Sequence, residues 1–246
     1  APQGKKILAA DYSQIELRLM AHYSKDQIML DSFKNNEDIH KRTASEVFSV
    51  EMENVTDEMR RRAKTINFGL LYGMSAFGLS NQLSVSRAEA EEFLLNYFTK
   101  YSSIKVFMKD VVEQAKKDKY VSTLYGRKIH VPNIDSPNYM LRQASERAAV
   151  NGPLQGSAAD IIKRAMINIF KESGKNEKDI KMILQVHDEL VFEVPEDYDE
   201  KNISYLINLM EESSSIDVPL KVEYGFGSNS VSYTHPPSPR DLRASR

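Results

Sequence analysis

Apolar and polar positions change their period several times along the chain. Residues 5–11 form a short, mostly apolar run ending on an acid, as in a buried strand, and over 13–23 Ile15, Leu19 and Tyr23 take up helical spacing. From about 26 to 151 the pattern is mainly helical, with helices predicted over 86–98 and 104–119, each opened or preceded by serine. Residues 120–131 interrupt this with alternation around Tyr125-Gly126, which predicts a hairpin. Gly152-Pro153 predicts a break, followed by a second long helix over 154–172. Residues 182–186 and 189–194 are apolar runs joined by His187-Asp188, a tight hairpin with an acid at its tip. A helix near 201–212 and a strand near 220–224 follow. No internal repeat is visible. The segment 236–246, with three prolines, three arginines and no periodicity, is expected to be a disordered tail or an expression scar.

One predicted helix has a usable face. Thr56 is the expected N-cap, Asp57 and Glu58 occupy the first turn where the dipole favours acids, and the helix continues to about Tyr72 and stops at Gly73. Arg60, Lys64, Phe68 and Tyr72 are spaced by four, so at 100° per residue each step drifts by only about 40° and the four share one face over roughly 18 Å. That face is basic at one end and aromatic at the other, which matches a ligand that is part polyanion and part flat ring, such as a nucleoside triphosphate. Cations at i,i+4 repel each other without an anion between them. Spacing alone equally allows Phe68 and Tyr72 to be core and the two cations to be merely solvated.

Composition narrows the classes. Of the 246 residues, 41% are hydrophobic and 28% charged, which excludes a disordered or collagen-like chain, and only ten are glycine, so helix should dominate. With no cysteine there are no disulfides, thiolate metal sites or cysteine nucleophiles, and a reducing compartment is expected. No apolar run approaches a membrane span, and no signal core follows the N-terminus, so neither secretion nor membrane residence is expected. The chain does not begin with methionine, which suggests a piece of something longer. The net charge of −2 (33 basic, 35 acidic) argues weakly against a nucleic-acid partner. Yet the signs are segregated: Arg60, Arg61, Arg62 and Lys64 lie together, and acids gather over 196–217. Asp11 ends a strand and Asp188 tips a hairpin; if those strands are neighbours, the two carboxylates would need cations between them, and hard oxygen ligands facing phosphates select magnesium.

Asp11-Tyr12-Ser13-Gln14-Ile15-Glu16-Leu17-Arg18, then Arg60 through Tyr72, then Val186-His187-Asp188-Glu189-Leu190 resemble, in order, the A, B and C motifs of family A DNA polymerases, the DNA polymerase I type. Asp38-Ile39-His40, the stretch from Gly73 to Gly78, Glu146 through Asn151 and Gln155 through Lys163 are similar to the bacterial branch, and the resemblance runs from about 1 to 222.

The resemblance implies an α+β, helix-rich fold: the palm of a right-hand polymerase, an antiparallel sheet, with helical fingers. Residues 1–25 and 152–235 would be palm, 26–151 fingers, and the motif B helix would span about 57–72. It further implies template-directed transfer of deoxynucleotides from dNTPs to a primer 3′-hydroxyl, with release of pyrophosphate. Asp11, Asp188 and the Tyr12 carbonyl would hold two Mg²⁺ ions, one activating the primer hydroxyl and one stabilising the departing pyrophosphate. Glu189 would support the site from its edge. Arg60, Lys64 and His40 would grip the triphosphate, with Lys64 as proton donor to the leaving group, and Gln14 would join the dNTP site. Glu16 with Tyr72 would crowd a ribose 2′-hydroxyl, and Phe68 would pack on the incoming nucleotide. Arg147, Asn151 and Gln155 would hold the primer-template DNA, with His187 near the primer terminus. Asn151 also reads as a helix C-cap before Gly152, and the small residues 156–159 as close helix packing. The expected protein is a cytoplasmic, nucleoid-associated bacterial monomer.

Two departures accompany the resemblance. The family's thumb, further palm segments and exonuclease precede motif A and are absent from this chain, so DNA grip is expected to suffer. The stretch from Gly227 to His235 lacks the family's closing tryptophan. Two alternatives stay open: a non-catalytic nucleic-acid-binding fragment, which would not need Asp11 and Asp188, and a single-subunit RNA polymerase, which Glu16 and the B-motif pattern disfavour.

Overall fold

The computed structural model describes residues 1–173 and 180–227. The expected tail over 236–246, and residues 228–235 of the expected palm, lie outside the described residues. Elements run in the order β1 (Lys5–Tyr12), α1 (Ile15–Ser24), α2 (Gln27–Lys34), α3 (Ile39–Phe48), a 3-10 turn (Met52–Asn54), α4 (Asp57–Leu71), α5 (Ala76–Leu83), α6 (Arg87–Lys100), α7 (Ser102–Asp118), β2 (Tyr120–Ser122), β3 (Lys128–His130), α8 (Tyr139–Ser173), β4 (Lys181–Val186), β5 (Glu189–Pro195), α9 (Glu200–Glu211) and β6 (Val222–Gly227). Backbone contacts divide the chain into two compact units. The smaller comprises Ala1–Ile15, Ala158–Ser215 and the residues from Leu220; the larger comprises Glu16–Ser157 and Ile216–Pro219.

The smaller unit is built on an antiparallel sheet in the order β4-β5-β1-β6. Segments distant in sequence therefore meet on β1, which pairs Ala10 with both Leu190 and Tyr224, and Asp11 with both Glu189 and Glu223. Leu8, Ala9, Ala10, Leu190, Val191 and Phe192 are buried, so both faces at the sheet centre are covered, as the unbroken apolar run over β1 requires. Tyr12 closes this core by donating its hydroxyl to the Met210 carbonyl at 2.7 Å. The last strand begins at Val222 and ends at Gly227, later than the periodicity predicts.

The larger unit is helical, with the small β2–β3 hairpin around a turn at Gly126. Its helices begin where short polar side chains can satisfy the first orphan N–H groups: Asp38 caps α3, Thr56 caps α4, and Ser86 with Glu89 forms a complete capping box on α6. The break expected at Gly152-Pro153 does not occur: α8 is continuous from Tyr139 to Ser173 with Pro153 inside it. Proline removes one ladder bond, and packing compensates. A Cβ on Gly152 would lie 2.8 Å from the Val121 side chain and one on Gly156 2.6 Å from Thr123, so these glycines let the hairpin press against the helix. Ser157, fully buried, accepts the Leu124 N–H at 2.8 Å and shares a hydrogen bond with the Tyr23 hydroxyl. Because the helix continues, Asn151 is not a C-cap.

Candidate active site

In the smaller unit, β1 and the β4–β5 hairpin bring the two motif aspartates to the same end of the sheet. Asp11 pairs in register with Glu189, and the Tyr12 N–H donates to the Asp188 carbonyl at 3.1 Å. The hairpin is tight because His187 takes a left-handed conformation at φ +50°, which leaves Asp188 at the tip. Gln14 is also left-handed (φ +56°), at the point where the chain leaves β1 for α1. Burial raises the Asp188 pKa to about 6, against a lowering influence from His187.

A third carboxylate, not foreseen from sequence, belongs to this row. Glu223 on β6 is also directly opposite Asp11, so Asp11, Glu189 and Glu223 lie on one face of three adjacent strands. Its Oε1 accepts the Ser13 hydroxyl at 3.2 Å. The signal for it, a register between distant strands, is not local in sequence. Among the described residues no three or more His, Asp or Glu side chains converge as a cage for a metal ion. Magnesium does not require one, since it takes one or two carboxylates and completes its shell with water and substrate phosphates. Asp11, Asp188 and the Tyr12 carbonyl fit that pattern of hard donors, and the elevated Asp188 pKa marks a carboxyl whose ionised form a cation would favour.

In the larger unit, α4 presents the face drawn from its spacing. Ala63, Ile66, Asn67, Leu70 and Leu71 are buried on one side, whereas Arg60 is exposed and Lys64, Phe68 and Tyr72 are half-buried on the other. The basic run is partly neutralised within the fold: Arg61 and Arg62 both pair with Glu58, and Arg60 Nε donates to Asp38 Oδ2 at 2.5 Å. Burial opposes ionisation of Asp38, but the Arg60 hydrogen bond, the Lys41 N–H and the Arg60 charge outweigh it, and its carboxyl titrates below the ordinary value. Asp38 Oδ1 accepts the N–H groups of His40 and Lys41, so one carboxylate both starts α3 and holds Arg60. Asp38 stands in the sequence as an acid immediately before an apolar helical run, the signature of an N-cap.

His40 is 2% exposed and its ring lies 5.7 Å from that of Phe68. Burial, together with the charges of Lys64 and Arg60, lowers its pKa to about 4 despite the opposing influence of Asp38, so the ring is neutral. Its Nδ1 lies 3.1 Å from the amide nitrogen of Asn67. Asn67 is a polar residue on the buried side of α4, and that mismatch with the apolar pattern was its one sequence signal.

At the other end of the face, the Tyr72 hydroxyl donates to Glu16 Oε2 at 2.8 Å. Glu16 is only 3% exposed, so its carboxylate is buried at this end of the face. Gly73 follows with φ +65°, and a Cβ there would lie 2.6 Å from the Arg147 side chain, so glycine both ends the helix and makes room for that arginine. An open cavity of about 370 Å³ adjoins it, lined among others by Gly73, Lys109, Gln143 and Arg147. Arg147, Asn151 and Gln155 follow one another at four-residue intervals on the uninterrupted α8 and share a face; Arg147 and Gln155 are exposed and Asn151 half-buried.

The family model for DNA polymerase family A matches residues 1–232. The chain is 51% identical over 232 residues to DNA polymerase I of Pseudomonas aeruginosa, covering 93% of this chain and 25% of that protein, and 45% identical over 221 residues to DNA polymerase I of Bacillus subtilis, covering 90% and 25%. A solved structure, the POL domain of Pol1 from M. smegmatis in complex with DNA primer-template and dNTP, superposes with a TM-score of 0.88 at 44% identity, over 92% of this chain and 40% of that one. The chain thus spans about a quarter of the length of these relatives. Extent and identity together settle the relationship: this chain belongs to DNA polymerase family A.

Proposed function

We propose that this chain is the part of a template-directed DNA polymerase that binds the incoming deoxynucleotide and carries the catalytic acids. The observation that carries the reading is the pairing of β1 with the β4–β5 hairpin, which makes Asp11 and Asp188 neighbours although 177 positions separate them in the chain. In this reading residues 1–25 and 152–235 are palm and 26–151 fingers, the protein acts as a monomer, and the stretch from 236 takes no part.

Asp11, Asp188 and the Tyr12 carbonyl hold the magnesium ions, with Glu189 at the edge. When bound, the two ions supply a lowered primer-hydroxyl pKa and neutralisation of charge on the departing pyrophosphate. The protein's own groups position and select. Arg60 and Lys64 pair with phosphate oxygens; the guanidinium exchanges Asp38 for the ligand, so it is held in place before binding. Lys64 delivers a proton to the leaving oxygen. Phe68 packs on the nucleotide, with Gln14 beside the dNTP site. Glu16, buried and fixed by the Tyr72 hydroxyl, denies space to a 2′-hydroxyl. Arg147, Asn151 and Gln155 hold the primer-template through its backbone, and His187 approaches the primer end.

Primer extension with dNTPs and Mg²⁺ tests the reading, comparing the wild type with Asp11→Ala. The chain corresponds to 40% of the solved polymerase domain, so on its own it is expected to bind dNTP and extend a primer by a few nucleotides at most. Magnesium-dependent incorporation that disappears in Asp11→Ala supports the assignment, and equal incorporation by both proteins refutes it.

A further inference from the structure

The chain leaves β1 through Tyr12, Ser13 and Gln14, and the first of these carries a proposed metal donor, its carbonyl. Each residue of this exit is constrained differently. Tyr12 is 2% exposed; its N–H donates to the Asp188 carbonyl at 3.1 Å and its hydroxyl to the Met210 carbonyl at 2.7 Å, which ties it to the β4–β5 turn and to the last turn of α9. Gln14 is left-handed at φ +56°, a costly conformation for a residue with a Cβ, which persists where surrounding contacts over-determine it.

Ser13, between them, is tied twice to β6. Its N–H donates to the Lys221 carbonyl at 2.8 Å and its hydroxyl to Glu223 Oε1 at 3.2 Å. The strand is itself anchored at this point, because the Val222 N–H donates to Glu211 Oε1 at 2.9 Å, on the same end of α9 that receives the Tyr12 hydroxyl. The contacts thus close a ring from the β1 exit to β6, to α9 and back to Tyr12. Most of its links are main-chain groups or lie on α9. The link from Ser13 to Glu223 is different, since it needs a hydroxyl at 13 and an acceptor at 223. Glu223 stands opposite Asp11, and Ser13 lies two positions beyond Asp11, so the bond runs diagonally across the two strands.

From this ring we infer that Glu223 is a positioning residue for the polymerase reaction: through Ser13 it holds the exit from β1 so that Asp11 and the Tyr12 carbonyl present their oxygens to a divalent cation together. The inference rests on the metal-binding reading above. Glu223 acts through Ser13 and touches neither cation nor substrate. Magnesium demands near-ideal geometry, so a displaced donor weakens the site even when every donor is still present. What position 223 must supply is an acceptor for a hydroxyl, and its charge is secondary.

Mn²⁺ binding to the full chain, followed by proton relaxation enhancement, tests this without turnover. The titrations are run at about 0.5 M salt, where screening confines the influence of an exposed charge to roughly 4 Å. Glu223→Ala and Ser13→Ala should each weaken binding by about fivefold, the worth of one hydrogen bond. The double substitution should be no weaker than either single one, because both remove the same contact. Glu223→Gln, whose amide oxygen accepts the Ser13 hydroxyl, should bind within about twofold of the wild type. A Glu223→Gln variant as weak as Glu223→Ala would mean that the carboxylate acts on the cation by its charge, and overturns the positioning role. Additive losses, or unchanged binding in either alanine variant, overturn it equally. None of these outcomes touches Asp11 and Asp188 as ligands; wild-type Mn²⁺ binding by Asp11→Asn is the separate result that removes the metal-binding reading and the inference with it.

Discussion

The basic face of α4 and the acidic end of the β1–β5 pair carry opposite charge and are completed in different ways. Around α4 the fold supplies its own partners: Asp38 for Arg60, Glu58 for Arg61 and Arg62, Glu16 for the Tyr72 hydroxyl and Asn67 for His40. Burial there keeps His40 neutral, so the number of positive charges is limited as well as their positions. At the sheet, Asp11, Glu189 and Glu223 stand abreast, and burial makes ionisation of Asp188 costly. One region holds its charged groups in place with internal partners; the other gathers carboxylates whose ionised forms a divalent cation would favour. In the proposed reading, preorganisation of this kind favours selection among ligands, whereas the acids determine whether chemistry proceeds.

The largest effect should come from the acidic region. Asp188→Asn keeps the hairpin but removes the charge, and nucleotide incorporation should fall by about 10³-fold or more in single-turnover primer extension, with dNTP affinity changed far less. Equal losses in affinity and rate would erase the contrast between the two regions. Next, Glu16→Ala opens the space beside Tyr72 and should raise the ratio of ribonucleotide to deoxynucleotide incorporation by about a hundredfold. A ratio that stays put would mean that the buried carboxylate does not face the sugar.

A pH experiment examines the α4 region without substrate. The His40 pKa, about 4 when folded, lies below its ordinary 6.5, so between these values the unfolded chain binds the proton more tightly. His40 therefore contributes stability that is complete above about pH 6.5 and lost as the pH falls toward 4. Urea unfolding at pH 7 and pH 4.5 should show His40→Gln losing about 2 kcal/mol less than the wild type over that interval. The smallest effect expected is from Phe68→Tyr, which offers a hydroxyl where a dideoxynucleotide lacks one and should increase terminator use by about tenfold. Primer extension with mixed dNTP and ddNTP measures it directly.

Much of this arrangement is legible in local sequence because local chemistry makes it. Thr56, Asp57, Glu58 and Gly73 delimit α4, and its four-residue spacing separates the Arg60–Tyr72 face from the core. His187-Asp188 between two apolar runs defines the β4–β5 hairpin. What escapes is whatever depends on distant partners. Glu223 joins the acidic row only through the β1–β6 register, and Asn67 finds its partners Thr43 and His40 on α3, 24 and 27 positions away. Pro153 misleads for the same reason. Its local preference is for a break, and packing of Gly152 and Gly156 against β2–β3 overrides it. The order of the motifs, read as a resemblance, identified the family that the 1–232 match establishes.

Metal binding tests the central claim most directly. Mn²⁺ as a spectroscopic substitute for Mg²⁺, titrated in the presence of dATP and followed by electron paramagnetic resonance, should bind the wild type stoichiometrically and lose affinity in both Asp11→Asn and Asp188→Asn. Wild-type Mn²⁺ binding by either variant would contradict the account.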